Sequence, residues 1–225
     1  MTDEIKKFTY LNPVDPKEFS KLYEMLEKIK LPIKQGKTIG RANFTEKHRA
    51  CSWGMSYHFT RHIIHEKSLM SKKHPEIHNE LMRIGRLICH SVCQPFTTIY
   101  MNKNIQCDPH KDTSNHGDLI IVSFGEYEGG DLIIEGERAC AKYHPILFDG
   151  AKYEHWNPKD LVGTKYSLVF FCHKAIIRAL EAKNSSKTRV EGFTGKPTVS
   201  PVTPSLIGGA EGCPLEEDEN NSISS

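Results

Sequence analysis

The chain has no run of about 18 apolar residues, the length a membrane-spanning helix needs. Its opening Met1-Thr2-Asp3-Glu4 lacks the basic-then-apolar pattern of a secretory leader. A soluble, intracellular protein (cytoplasmic or nuclear) with no membrane partner is therefore expected. No internal repeat is visible, which excludes solenoid and propeller architectures. Cysteine is present at seven positions (51, 89, 93, 107, 140, 172 and 213), an odd number in a chain of 225 residues. That count argues against a secreted disulfide framework and for reduced thiols. No charge of one sign dominates overall, since the formal net charge is only +2.

The near-balance hides an asymmetry. Residues 1–105 carry 18 Lys and Arg against 10 Asp and Glu, a balance of +8, whereas residues 106–225 carry 12 against 18, a balance of −6. A basic half beside a second half of different character suits a phosphate-bearing partner such as DNA or RNA. A solvated, lysine-rich helical face gives the same pattern.

The chain divides by the period of its apolar residues. Asp15-Pro16-Lys17-Glu18 opens a helix, with Asp15 as cap, Pro16 in the first turn and Glu18 completing a capping box. Phe19, Leu22, Leu26 and Ile29 then recur at helical spacing until Leu31-Pro32 ends it. Residues 32–60 read as short strands and loops. A second helix is predicted from Pro75 to about Val92, with Ile77, Leu81, Ile84 and Ile88 on one face. From Phe96 the period becomes that of strands, predicted at 96–103, 118–124, 131–136, 145–149 and 165–172. Gly129-Gly130 reads as a hairpin turn.

The fold class expected is α+β, a double-stranded β-helix (jelly-roll, cupin-like) core with supporting N-terminal helices. One domain spans 1–183, with a helical, basic part over 1–95 and the β core over 96–174. Residues 184–225 are rich in Ser, Gly, Pro and Thr and end in an acidic run. They bury too little to offset chain entropy of ~1–2 kcal/mol per residue, and read as a disordered tail.

The chemistry concentrates in His110, Asp112 and His155, with Lys165 and Ser167 further on. In a strand, side chains two apart share a side, so His110 and Asp112 can reach one ion. Two imidazoles and a carboxylate suit Fe(II) and leave coordination positions open. Lys165 and Ser167 likewise share a face, and an ammonium with a hydroxyl can hold a carboxylate. On the strand that leads to His110, Thr98, Tyr100, Asn102 and Asn104 alternate. Among these, Tyr100 and Asn102 are the candidates for a ligand pocket, against ordinary polar pairing within a sheet.

These residues carry a resemblance. The text TTIYMNKN, PHKDTSN, SFGEYEGGDLII, ILFDG, His155 and GTKYSLVFF, from Thr97 to His173, resembles Fe(II)/2-oxoglutarate-dependent oxygenases, most of all their TET/JBP-type branch. The resemblance implies His110, Asp112 and His155 as both metal ligands and catalytic residues. It implies Lys165 and Ser167 at the far carboxylate of 2-oxoglutarate, with Tyr100 and Asn102 lining the co-substrate pocket. Fe(II), 2-oxoglutarate and O2 would be required, with ascorbate as a stimulant. The implied reaction hydroxylates a C–H bond on a nucleic-acid base of the methylpyrimidine type and releases succinate and CO2. One departure is Lys165, where that branch has arginine and prolyl-hydroxylase-like relatives have lysine. A protein hydroxylase is thus one alternative, and a non-catalytic cupin-like binding protein is another.

Other clusters read more plainly. His58, His62 and His65 would share a helical face and have no carboxylate in the pattern, so they read as a half-buried histidine face. Cys89, Cys93 and Cys107 near His90 lack zinc spacing and read as buried thiols. Trp53 to Tyr57 suits an aromatic core or a stacking platform. Asn115 suits a ligand-orienting role or a turn cap, and Arg41 and Arg49 suit phosphate contacts or surface charges. The sequence sets neither the oligomeric state nor the role of the acidic tail.

Overall fold

A computed structural model describes residues 6–32, 49–58 and 60–191, with side chains through 183. Arg41, Phe44, Phe59 and the segment 192–225 lie outside the described residues.

The first elements are strand β1 (Thr9–Tyr10), helix α1 (Lys17–Glu27) and strand β2 (Arg49–Gly54). A hairpin β3 (Ser56–His58) and β4 (Ile63–His65) follows, then helices α2 (Leu69–Lys73) and α3 (Pro75–Cys89). The β region holds β5 (Thr98–Lys103), β6 (Asn115–Phe124), β7 (Tyr127–Glu128), β8 (Leu132–Ile134), β9 (Glu137–Ala139) and β10 (Ile146–Phe148). It ends with β11 (His155–Trp156), β12 (Val162–Gly163) and β13 (Tyr166–His173), and helix α4 (Lys174–Glu191) closes the described chain. Among the described residues, no helix is long and apolar enough to cross a membrane.

One antiparallel sheet runs in the order β1-β10-β6-β13-β5-β2. Shorter sheets, β11-β8-β9 and β12-β7, supply the opposing wall. Strand alternation gives the large sheet two different faces. Ile99, Met101, Leu168, Phe170, Ile120, Val122 and Phe124 turn one way and join Trp53 and the apolar stripes of α1 and α3 in the main core. The other face meets Leu132, Ile134, Ala139 and Phe148 in a second, smaller core. Arg83 ties the two helices under the main core. Its guanidinium binds the carboxylates of Glu18 on α1 and Glu80 on its own helix.

Several expectations need correction. The N-cap of α1 is Pro16, which has no side-chain cap, while Asp15, one residue earlier, accepts the Lys17 amide at Oδ1 (2.9 Å). Glu18 does not close a capping box, because Arg83 takes its carboxylate. Gly129-Gly130 turns the chain but makes no hairpin. Both residues have positive φ (68° and 62°), and they carry the chain from β7, paired with β12, to β8, paired with β9 and β11. His58, His62 and His65 lie on and beside the β3–β4 hairpin and are exposed, not aligned on a helix. Trp53 is fully buried in the core. Of the three grouped thiols only Cys89 is buried; Cys93 is exposed and Cys107 half-buried. Arg49 spends a donor on the Leu31 carbonyl at 2.9 Å. Finally, α4 runs to Glu191, into the segment read as a tail.

Candidate active site

The large sheet's second face is the floor of a cavity of about 600 Å³. Tyr100 and Asn102 of β5, Ile121 and Ser123 of β6, and Ser167, Val169, Phe171 and His173 of β13 all line it. Leu132, Ala141 and Asn157 come from the opposing wall.

His110, Asp112 and His155 meet at this cavity. One ligand atom from each lies within 4.8 Å of the others. The Nε2 atoms of His110 and His155 each stand 3.7 Å from a different oxygen of Asp112. His110 and Asp112 do not share a strand, as their spacing suggested; His110 is instead an isolated bridge residue paired with His155. In that bridge His110 N donates to His155 O (3.1 Å) and His155 N to His110 O (3.0 Å). Asp112 follows in a turn, its amide donating to Gly150 O at 2.7 Å, while Asn115 N donates to Asp112 O at 3.0 Å. Gly150 permits the crowding. A Cβ there would stand 2.5 Å from Leu119 Cδ2 and 3.6 Å from both Asp112 Cβ and His155 Cε1.

Hydrogen bonds set the histidine tautomers. His110 Nδ1 lies 2.7 Å from Asp108 O and His155 Nδ1 lies 3.0 Å from Tyr153 O. A carbonyl only accepts, so each Nδ1 carries the proton and each Nε2 keeps its lone pair toward Asp112. Two lone pairs and a carboxylate facing one point, each ring oriented by a backbone acceptor, make a donor set that fits a divalent iron.

Lys165 enters the same cavity from the start of β13. It is 7 % exposed, and its ammonium donates to the Gly130 carbonyl. Burial lowers its pKa to about 8, against the raising influence of Asp131, Cys140, Cys107 and Asp160. Asn104 anchors its backbone: Oδ1 accepts the Lys165 amide at 2.7 Å, and Asn104 N donates to Lys165 O at 2.8 Å. That role takes Asn104 out of the strand, with φ at 56°. Thr98, the other polar residue of the series, donates to Met55 O at 3.1 Å. Ser167 sits in register between Asn102 of β5 and Ser123 of β6. Of the residues proposed for the co-substrate pocket, Lys165, Ser167, Tyr100 and Asn102 all reach the cavity.

Sequence reasoning passed over Ser123, Asn157, Tyr127 and His173. Asn157, two residues past His155, donates to Asp131 O at 2.9 Å and holds the corner beside Lys165. Two signals were available. Ser123 is the one polar residue in the run Leu119 to Phe124, and the period that joined Ser167 to Lys165 extends to His173.

Asn115 and His173 are cross-strand partners at the opposite end of β13. Asn115 is 5 % exposed, and its Nδ2 has no hydrogen-bond partner. His173 Nδ1 accepts the Ala175 amide at 3.1 Å, so its Nε2 carries the proton. Burial lowers its pKa and favours the neutral ring.

No protein-family model matches this chain, and no curated protein does. Solved structures do. An oxidoreductase of the 2OG-Fe(II) oxygenase family from Burkholderia pseudomallei aligns with a TM-score of 0.52 at 16 % identity, over 73 % of this chain and 84 % of that one. The fold is that of the 2OG-Fe(II) oxygenases. Weaker likenesses are to NgTET1 in complex with 5mC DNA (TM-score 0.47, 13 % identity, 75 % of this chain and 73 % of that one). A Pseudomonas putida prolyl-4-hydroxylase also aligns (TM-score 0.45, 7 % identity, 74 % and 93 %).

Proposed function

We propose that this chain is an Fe(II)/2-oxoglutarate-dependent oxygenase that hydroxylates a C–H bond of a pyrimidine base in DNA or RNA. The observation that supports it is a single cavity lined by the His110, Asp112 and His155 ligand set, by Lys165 and Ser167, and by the buried, unpartnered amide of Asn115. His110, Asp112 and His155 would hold the iron. Lys165 and Ser167 would hold the far carboxylate of 2-oxoglutarate, with Tyr100 and Asn102 beside it. The chemistry such a centre supplies is oxygen insertion from O2 at a C–H bond, coupled to conversion of the keto acid into succinate and CO2. Ascorbate is expected to stimulate it.

The chain's own residues bind, aim and exclude water. The two Nδ1–H groups donate to backbone carbonyls, which fixes both rings with their Nε2 atoms toward Asp112. Val169, Phe171 and Ile121 add apolar surface between the polar residues of the floor, and the buried setting of Lys165 strengthens its attraction for a carboxylate. Asn115 Nδ2, which has no partner among the described residues, offers a donor to an acceptor on the ring edge of a base such as cytosine. Exposed Arg61, His62, His65 and Lys67 lie on and beside the hairpin whose Tyr57 lines the cavity, and would meet phosphates.

The test is succinate release measured against methylcytosine oligonucleotides and peptides, with mass analysis for a gain of one oxygen. Product on the oligonucleotide supports the reading. Lys165, as a lysine, favours a protein hydroxylase as the second reading, and oxygen gained only on peptides would select it.

A further inference from the structure

Tyr127 is buried and is not one of the cavity-lining residues, yet it touches two that are. The Lys165 ammonium lies over its ring, 5.6 Å from the centroid. Its hydroxyl oxygen is 2.7 Å from Ser123 Oγ. Lys165 immediately precedes β13 and Ser123 lies on β6, so one side chain joins two neighbouring strands of the cavity's floor at its anion end.

Tyr127 is itself fixed in place. It pairs with Gly163, two residues before Lys165. Gly163 has φ of 95°, and a Cβ there would come 2.3 Å from Glu126 O, so only glycine allows this approach. Lys142 adds a clamp: its Nζ donates to Tyr127 O at 2.9 Å and stands 4.6 Å from the ring centre.

The direction of the Tyr127–Ser123 bond follows from chemistry. Burial raises the pKa of the Tyr127 hydroxyl above its ordinary value, so it keeps its proton. A phenol is a stronger donor than an alkyl hydroxyl, so Tyr127 donates and Ser123 Oγ accepts. The Ser123 hydrogen then cannot point at Tyr127 and turns toward the cavity.

We propose that Tyr127 is a positioning residue for the co-substrate, holding Lys165 by its ring and making Ser123 a third donor, beside Lys165 and Ser167, to the far carboxylate of a dicarboxylic keto acid. This rests on the oxygenase reading. It adds a selectivity that the lysine alone does not give, because a point charge accepts any anion, whereas three fixed donors ask for a carboxylate at one depth.

Calorimetric binding to the Mn(II)-loaded full chain tests it without turnover. Ser123→Ala should weaken 2-oxoglutarate about tenfold, the effect of losing one bond to a charged group, and Tyr127→Phe should weaken it by less, because the Ser123 hydroxyl remains but is no longer held in one direction. The double variant should be no weaker than Ser123→Ala alone, because the Tyr127 hydroxyl acts only through Ser123. Binding of pyruvate, which lacks the far carboxylate, should not move. Parent-like 2-oxoglutarate affinity in Tyr127→Phe, additive losses in the double variant, or an equal loss for pyruvate would each overturn the inference. Should Tyr127→Phe not fold, Ser123 carries the test. Ser123→Thr must then keep the affinity that Ser123→Ala loses, and equal affinity in those two variants counts against the proposal. Failure of the parent to bind 2-oxoglutarate at all would sink the oxygenase reading instead.

Discussion

His110 and His155 are joined through their backbones, each donating its amide to the other's carbonyl, with ring centres 4.3 Å apart. The bridge uses no side-chain atoms, so the two positions stay adjacent when an imidazole is removed. His110→Ala and Asp112→Ala should therefore lower Fe(II) affinity by more than ~100-fold, beyond the range known for outer-shell changes. The melting temperature of the metal-free protein should shift little. Unchanged metal affinity in either variant would contradict the assignment.

Lys165 gives the site a pH dependence. Its folded pKa of about 8 lies below the ordinary 10.5. The ammonium is therefore present below pH 8 and lost as pH rises through it, and 2-oxoglutarate affinity should fall across that point. Lys165→Arg stays charged and should hold its affinity to higher pH. Stability runs the other way. Between about 8 and 10.5 the unfolded chain binds the extra proton, so stability contributed by this group rises with pH there. Calorimetry on both sides of pH 8 checks the first point, and denaturant melts check the second.

Asn115 separates metal chemistry from substrate choice. Asn115→Ala should leave Fe(II) and 2-oxoglutarate binding near parent values. It should lower oxidised-base yield at least about tenfold while succinate still forms, because one donor to the base is gone. Loss of succinate and of oxidised base in equal proportion would show that Asn115 serves the Asp112 turn rather than the base.

Gly85 tests the scaffold. Alanine is the better helix former by ~1 kcal/mol. Here, though, its Cβ would stand 2.6 Å from Phe96 Cζ and 3.0 Å from Phe170 Cε1. Both rings are fully buried, and overpacking costs ~1–3 kcal/mol. Gly85→Ala should thus be neutral to destabilising by about 2 kcal/mol in urea melts, and a gain in stability would show that the core yields there.

Periodicity made the long elements legible. α1, α3 and the strands carrying Thr98, Leu119, Ile146 and Lys165 stand where their apolar spacing put them. The convergence of His110, Asp112 and His155 was legible by order and residue type. Their local structure was not, because a one-residue bridge between His110 and His155 has no period to read. The two-residue strands β7, β11 and β12 escaped for the same reason, and with them Tyr127. The hairpin expected at Gly129-Gly130 failed because a pair of glycines marks a reversal without saying which strand receives the chain. Asn115 was legible as a choice between turn and ligand roles; its backbone amide joins the turn, and its side-chain Nδ2 has no hydrogen-bond partner among the described residues.

On β5 and β13 successive residues alternate between scaffold and chemistry: Ile99 and Met101 against Tyr100 and Asn102, Leu168 and Phe170 against Ser167 and Val169. A library that randomises every second codon of these strands would thus sample new substrate preferences on an unaltered frame. The complementary library, shifted by one codon, would collapse the fold before any preference could be selected.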